Sequence, residues 1–476
     1  MNQLKTPLYD ALTKHVEKNP ISFHVPGHKY GEIFQTTKKD WFSLLLKIDA
    51  TELSGLDDLH SPEEAILKAE TLLADLYKVN RSFFLVNGST SGNLAMVMSV
   101  CEEGDYVLVQ RNCHKSILNA LKLAKAHPVF LEPEYDRDGK IASGISVQTV
   151  KEAIELYPNA KAVILTYPNY YGMVNDLKEI VTLAHQHHIP VLVDEAHGAH
   201  FILGDPMPSS AVQLGADIVV QSAHKTLPAM TMGSYLHFNS QLISIGNLKD
   251  YLQTFQSSSP SYPIMASLDL ARCYLAAYNR NDVDYLLKEI NQFKAELAKI
   301  KGIKVLDYLG DPLKVTIQST CELSGFALQN KMEELGVYTE LADPYNVLFV
   351  LPLLKENQTY PFKEAINKIK IALSGVTLTP LEELIPGNNS HKISELALSY
   401  KEMKKYEEIE VLIKEAAGKV AAEMVIPYPP GIPLLLKGER ITPEKIENLN
   451  KLLEAGARFQ GSSCLKRGMI KVFRTT

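Results

Sequence analysis

The chain is poor in the features that mark secreted, membrane or nucleic-acid-binding proteins. Its 476 residues hold only five cysteines, Cys101, Cys113, Cys273, Cys321 and Cys464. The count is odd and no two stand at the spacing of a zinc knuckle or a redox pair. They read as free thiols of a reducing, cytoplasmic compartment. No stretch approaches the about 18 consecutive apolar residues of a membrane span. The first twenty residues, MNQLKTPLYDALTKHVEKNP, are polar and hold no apolar signal core. Basic residues do not dominate, 49 Lys and Arg against 55 Asp and Glu, for a net charge of −6. That speaks against a nucleic-acid partner and leaves a cationic small molecule open. There is no internal repeat and no low-complexity tract. What remains, 46% hydrophobic and 22% charged residues, is ordinary for a large globular protein of two or three domains.

The pattern along the chain predicts an α/β fold. Residues 1–50 form an N-terminal arm, with a short helix from Leu8 to Val16 and then the loop FHVPGHKYG. Ser61, followed by Pro62, Glu63 and Glu64, reads as the cap of the helix in SPEEAILKAETLLADLY. Strands are expected at 82–86, 106–110, 128–133, 162–168, 190–196 and 217–223, with helices between most of them. Several are short, continuous apolar runs, as in a mostly parallel sheet covered on both faces. Such sheets bind ligands at the carboxyl ends of their strands. The helix LLKEINQFKAELAKIKGIKV leads into a smaller α+β region with strands at 305–309, 314–319 and 345–353. IPGNNSHKIS (385–394) reads as a linker. A last unit combines a helix over 395–424, the Pro-rich VIPYPPGIPLLL and a helix after Thr442. The expected domains are therefore the arm (1–50), a major domain (51–300), a small α+β domain (301–385) and a C-terminal domain (386–476).

Four segments carry chemistry. In LVNGSTSGNLAMVMSV a strand gives way to a turn with Ser89, Thr90 and Ser91 and then to an apolar helix. Free amides at a helix start, with hydroxyls beside them, suit a phosphate; a plain helix cap needs only one of the three. In PVLVDEAHGAH, Asp194 ends a buried strand, where a carboxylate is costly unless paired. A protonated pyridine nitrogen is one suitable partner. His197 and His200 are three apart but have no convincing third metal ligand, so no metal is expected. In DIVVQSAHKTLPAMTMGSYL, Lys225 follows a strand between Ser222, His224 and Thr226. Desolvation there favours a free amine able to form a Schiff base; a lysine reaching to the surface is the plain alternative. In VQRNCHKS, His114 follows a strand and could stack on a cofactor ring or simply start a helix.

Taken in order, a phosphate cradle, a carboxylate and a lysine at successive strand ends resemble the fold-type I enzymes that use pyridoxal 5'-phosphate (PLP). The closer resemblance is to the bacterial ornithine/lysine/arginine decarboxylase family. It runs through FHVPGHKYG, GLDDLHSP, FFLVNGSTSGN, VQRNCHKS, PNYYGMVNDL, VLVDEAHGAHF, SAHKTLPAMT, SSSPSYPIMASLD and IPYPPGIPLLLKGE. It is strongest to the short members; larger ones carry an additional N-terminal regulator-like domain, and none is expected before these motifs. The resemblance implies a PLP-dependent carbon–carbon lyase that decarboxylates a basic amino acid, arginine before lysine or ornithine, in polyamine metabolism. It implies Lys225 as the Schiff-base lysine, Asp194 at the pyridine nitrogen and His114 stacked on the ring. Ser89, Thr90, Ser91, Ser222 and His224 would surround the phosphate. His197 stands where larger members often have tryptophan, near the cofactor's phenolic oxygen. A homodimer or higher homo-oligomer with shared active sites is also implied, with the arm and the SSSPSY loop reaching the partner.

A basic side chain needs an acidic partner, for which Glu439 and Glu423 are candidates, as are acids of a second subunit. The alternatives are another fold-type I enzyme, such as an aminotransferase, or a non-catalytic PLP-binding regulator. Aminotransferases commonly hold the substrate carboxylate with an arginine of the small domain, and no arginine lies between Arg280 and Arg440.

Overall fold

Apolar runs become buried strands throughout the computed structural model, which describes residues 1–34, 41–379, 392–427, 433–454, 456–460 and 464–475. Most of the expected linker and the Pro-rich turn at 428–432 lie outside the described residues. The chain divides into two compact units, Met1–Val100 with Pro190–Asn279, and Cys101–Ile189 with Arg280–Thr476. Among the described residues, no helix is long and apolar enough to cross a membrane.

The first unit holds four strands in the order Arg81–Leu85, Ser234–Phe238, Ile218–Gln221, Val191–Asp194. The last two are parallel, with Val193 opposite Val219 and Asp194 opposite Val220; the other pairings are antiparallel. The strand Ser234–Phe238 was not expected: it follows a turn holding Pro228 and Gly233 and is short. The outer strand Arg81–Leu85 has its open amides covered by side chains. Phe84 N–H donates to Glu70 at 3.0 Å, and Val86 N–H beyond its end donates to Gln256 at 2.9 Å. This protects an edge that would otherwise be free to pair. The helix Gly88–Met98 packs tightly on these strands. A Cβ built on Gly92 would lie 2.6 Å from Leu85 and 2.9 Å from Val220, so only glycine fits there.

The cap expected at Ser61 is not the one formed. The helix starts at Ala65, and Asp57 serves its open end from a preceding turn. The Asp57 carboxylate accepts from Glu63, Glu64, Ile66 and Leu67 N–H at 2.8 to 3.3 Å. Asp57 occupies the left-handed region, φ +70, which Asp tolerates better than most residues. Its carbonyl accepts from the Tyr262 hydroxyl, and His60 contacts the Ser257 carbonyl at 2.8 Å. The segments GLDDLHSP and SSSPSY thus brace each other inside one unit.

The second unit has parallel strands Val163–Thr166, Tyr106–Gln110 and His127–Leu131, in that order, and an antiparallel edge strand Ile393–Glu395. A separate antiparallel sheet orders Ile303–Val305, Lys314–Ser319, Asn346–Val350 and Leu341–Ala342. The strand expected at 305–309 is in fact Ile303–Val305. The helix expected over 395–424 does not form; Ile393–Glu395, Glu408–Leu412 and Val420–Ala421 are strands. Glu408-Ile409-Glu410-Val411 alternates with period two, and its two apolar members face a core built on Ile413, Val425, Leu449 and Ile470. The helix after Thr442 spans Pro443–Glu454 as expected.

Candidate active site

Asp194 is the last residue of its strand and only 2% exposed. Asn93 Nδ2 donates to Asp194 Oδ2 at 2.9 Å, and Ala196 N–H donates to Oδ1 at 3.1 Å. Both are neutral donors, so the charge of a carboxylate here is compensated only in part, which suits a cationic ring nitrogen. Asn93 lies on the helix Gly88–Met98 and was missed in the sequence. Its signal was a polar residue on the buried side of an otherwise apolar helix.

That same helix opens with Gly88 at φ +77, and no side chain caps it among the described residues. Its first-turn amides and the positive end of its dipole are available to an anion. Ser222 Oγ donates to Ser89 Oγ at 2.7 Å, joining the helix start to the turn that carries Lys225. Ser91 Oγ donates to the Gly88 carbonyl at 2.8 Å, while Thr90 is exposed at the first turn.

Lys225 sits in the short helix Ala223–Thr226 immediately after the strand Ile218–Gln221. It is half-buried, and its Nζ lies 3.0 Å from His197 Nε2. An amine beside an imidazole can share one proton between two nitrogens of adjustable basicity. His224 places Nδ1 3.0 Å from the Gly233 carbonyl, so Nδ1 carries the proton. Ser89, Ser91, Asn93, Asp194, His197, Ser222, His224 and Lys225 therefore belong to one unit and one network of strand ends. His200 is buried against the edge of Phe201.

His114 belongs to the second unit and caps the helix Lys115–Ala124, accepting from Ser116 N–H at 3.2 Å. In the same unit Glu439 and Glu423 are already engaged. The buried Glu439 is paired with Arg111 NH1 at 2.8 Å and with Lys445, and accepts from Leu436 N–H at 3.0 Å. Burial raises its pKa, but Arg111 and Lys445 outweigh that and hold it below its ordinary value. Glu423 accepts from Lys471 N–H at 2.7 Å and from Cys464 Sγ at 3.1 Å. Glu439 is thus matched by two cations, whereas both donors to Glu423 fall on its Oε1 and neither carries a charge.

The chain resembles known proteins over nearly its whole length. Residues 6–310 match the family model described as Orn/Lys/Arg decarboxylase, major domain, and residues 387–469 match the model of its C-terminal domain. The chain is 46% identical to the Bacillus subtilis protein named YaaO, over 99% of each chain. It is 37% identical to a B. subtilis arginine decarboxylase, over 100% of this chain and 99% of the relative. Among solved structures, the Francisella novicida lysine decarboxylase LdcF superposes with a TM-score of 0.80 at 22% identity, over 99% of this chain and 81% of that one. At that identity the likeness establishes the fold.

Proposed function

The chain belongs to the Orn/Lys/Arg decarboxylase family, and from that premise we propose that it decarboxylates arginine with PLP on Lys225. It is an enzyme, a carbon–carbon lyase acting on a basic amino acid. The observation that carries the cofactor assignment is the meeting, within one unit, of Lys225 Nζ, the Asp194 carboxylate and the uncapped helix start joined through Ser89 and Ser222. These three features fit the aldehyde, the pyridine nitrogen and the phosphate of one small molecule.

PLP, when bound, supplies a sink for the electron pair released as carbon dioxide leaves. The residues hold and orient. Asp194 would keep a proton on the ring nitrogen, and Asn93 fixes the carboxylate that would do so. The helix amides with Ser89, Thr90, Ser91, Ser222 and His224 would hold the phosphate. His197 takes or returns a proton at Lys225 Nζ, and Lys225 then protonates the α-carbon. The stacking role of His114 rests on its motif VQRNCHKS.

Arginine is favoured by relatives named arginine decarboxylase, at 37% and 34% identity. The amine product belongs to polyamine metabolism. A homo-oligomer with shared sites is supported by the arm, where Ile21, Phe23 and Trp41 are 86, 94 and 93% exposed; apolar groups so placed commonly meet a partner. None of the five cysteines is joined in a disulfide, in keeping with a cytoplasmic setting. The test is a screen of the PLP-loaded protein against arginine, lysine and ornithine. Arginine is expected to release carbon dioxide and its amine fastest. Formation of a keto acid, or no turnover of any of the three, overturns the reading.

A further inference from the structure

Glu195 follows Asp194 directly and is 0% exposed, yet the chemistry above gives it no task. Its carboxyl group accepts from Ala211 N–H at 2.6 Å, Ser210 Oγ at 2.7 Å and Gln221 Nε2 at 2.6 Å. Gln221 ends the strand that leads into Ser222 and Lys225. Its Oε1 lies 3.0 Å from His237 Nε2, and His237 Nδ1 lies 2.8 Å from Ser82 Oγ. Gln221, His237 and Ser82 are each at most 1% exposed.

The protons of this chain follow from its geometry. Glu195 accepts from Gln221 as a carboxylate, and as an acid too when its proton is turned to Ser210 Oγ, so the amide nitrogen of Gln221 faces Glu195 and its oxygen faces His237. His237 Nε2 therefore carries the proton and Nδ1 accepts from Ser82. Burial pushes the His237 ring down to about 3, which keeps it neutral with one N–H, as this pattern requires. Tyr77 stacks on that ring with centroids 4.1 Å apart and donates its hydroxyl to the Ala199 carbonyl. Donation runs in one direction across three strands to the residue after a fourth, from Ser82 through His237 and Gln221 to Glu195. Burial pushes Glu195 up to about 8 against its three hydrogen bonds. Ser210 Oγ can donate or accept, so the arrangement tolerates either form of the acid.

We propose that Glu195 is a positioning residue for the reaction. Bonded to Gln221, it fixes the exit of the Asp194 strand against the turn that presents Lys225, and so sets the separation of two groups that hold the cofactor. This rests on the PLP assignment above. Two properties set it apart from general packing. The bond joins the residue after Asp194 to the residue before Ser222, and its polarity is dictated by the rest of the chain.

The polarity gives the test. Glu195→Gln brings an NH2 that must face either Ala211 N–H or Gln221 Nε2, donor against donor, and Gln221→Glu sets a carboxylate against a carboxylate. The double exchange restores a donor facing an acceptor, with His237 still donating to position 221. In the holoenzyme, each single variant is expected to weaken PLP binding about tenfold, the worth of one buried hydrogen bond. Binding is followed by absorbance, and kcat should fall more than KM changes. The double variant is expected to recover most of both. Singles with wild-type PLP affinity and kcat overturn the proposal, as does a double variant no better than the worse single. So does a fall in Tm with PLP affinity unchanged. If Glu195→Gln yields no folded protein, His237→Gln and His237→Leu decide. The first keeps a donor and an acceptor and should bind PLP as wild type; the second keeps neither and should lose about tenfold. Equal affinities overturn the proposal. An unsubstituted protein that fails to bind PLP overturns the parent reading instead, so the two failures are distinguishable.

Discussion

Lys225 Nζ and His197 Nε2 stand 3.0 Å apart, presented by turns that follow two parallel neighbouring strands. An imidazole at that distance can take a proton from the amine and return it. His197→Phe keeps a ring and removes the proton site. It is expected to lower kcat about a hundredfold, within the usual range for lost acid–base help. KM should change less, and the pH dependence of the bound-cofactor absorbance should shift. Steady-state kinetics with a spectral titration check this; wild-type kcat in the variant contradicts it.

Asn93 holds Asp194 from the helix that also offers the phosphate site. Asn93→Ala leaves one oxygen of a buried carboxylate without its donor, and PLP affinity should fall about tenfold. Asn93→Asp should be worse than alanine, because a second carboxylate then faces the first. Equilibrium PLP titrations of both variants give the order. Asn93→Asp binding as tightly as wild type contradicts it.

Asp57 replaces an ordinary helix cap by gathering four amides at one carboxylate. Asp57→Ala should cost about 2 kcal/mol, the upper part of the range for a lost cap. Asp57→Asn, which keeps one acceptor and tolerates the left-handed backbone, should cost less. Chemical denaturation measures both, and an unchanged midpoint for Asp57→Ala contradicts the assignment.

Glu439 pairs with two cations, Arg111 and Lys445, and Arg111 also meets Glu132 at 3.2 Å. Glu439→Ala leaves Lys445 without its carboxylate and Arg111 with Glu132 alone, and a loss of about 3 kcal/mol is expected for breaking such a cluster. KM for the amino acid should stay unchanged in the folded variant. A raised KM with unchanged Tm would return Glu439 to the substrate site.

His237 makes stability depend on pH. Its folded pKa is depressed to about 3 by burial, while an exposed histidine titrates near ~6.5. Between those values the unfolded chain binds the extra proton. The contribution is present above ~6.5 and is lost as pH falls toward 3, at up to about 1.4 kcal/mol per pH unit. His237→Gln lacks this term. Relative to wild type it should gain about 2 kcal/mol between pH 6.5 and 4.5, read from denaturation midpoints. A gap that does not move with pH contradicts this.

The buried strands were legible because each is an apolar run bounded by polar turns; Tyr106–Gln110 and Lys314–Ser319 form at the expected residues. Asp194 and Lys225 were legible as candidates for the same reason, since strand ends locate the edge where ligands bind. Other features depend on partners far away in sequence. Glu439 meets Arg111 across 328 residues, and nothing local announces that its charge is already matched. The helix cap was misplaced because Asp57 reaches it from outside the Ser61 pattern. The region after 395 misled because its charged residues fit a helix as well as an alternating strand, and packing decided between them. Asn93 and Glu195 lay in plain view as polar residues inside apolar segments, but their roles exist only once strands and helix are brought together.

The cofactor lysine admits a direct measurement. The PLP-loaded protein is reduced with borohydride, digested, and its peptides weighed by mass spectrometry. The mass of one phosphopyridoxyl group is expected on the peptide containing Lys225 and is expected to vanish in Lys225→Ala. The group on another lysine, or no modified peptide from fully loaded protein, contradicts the account.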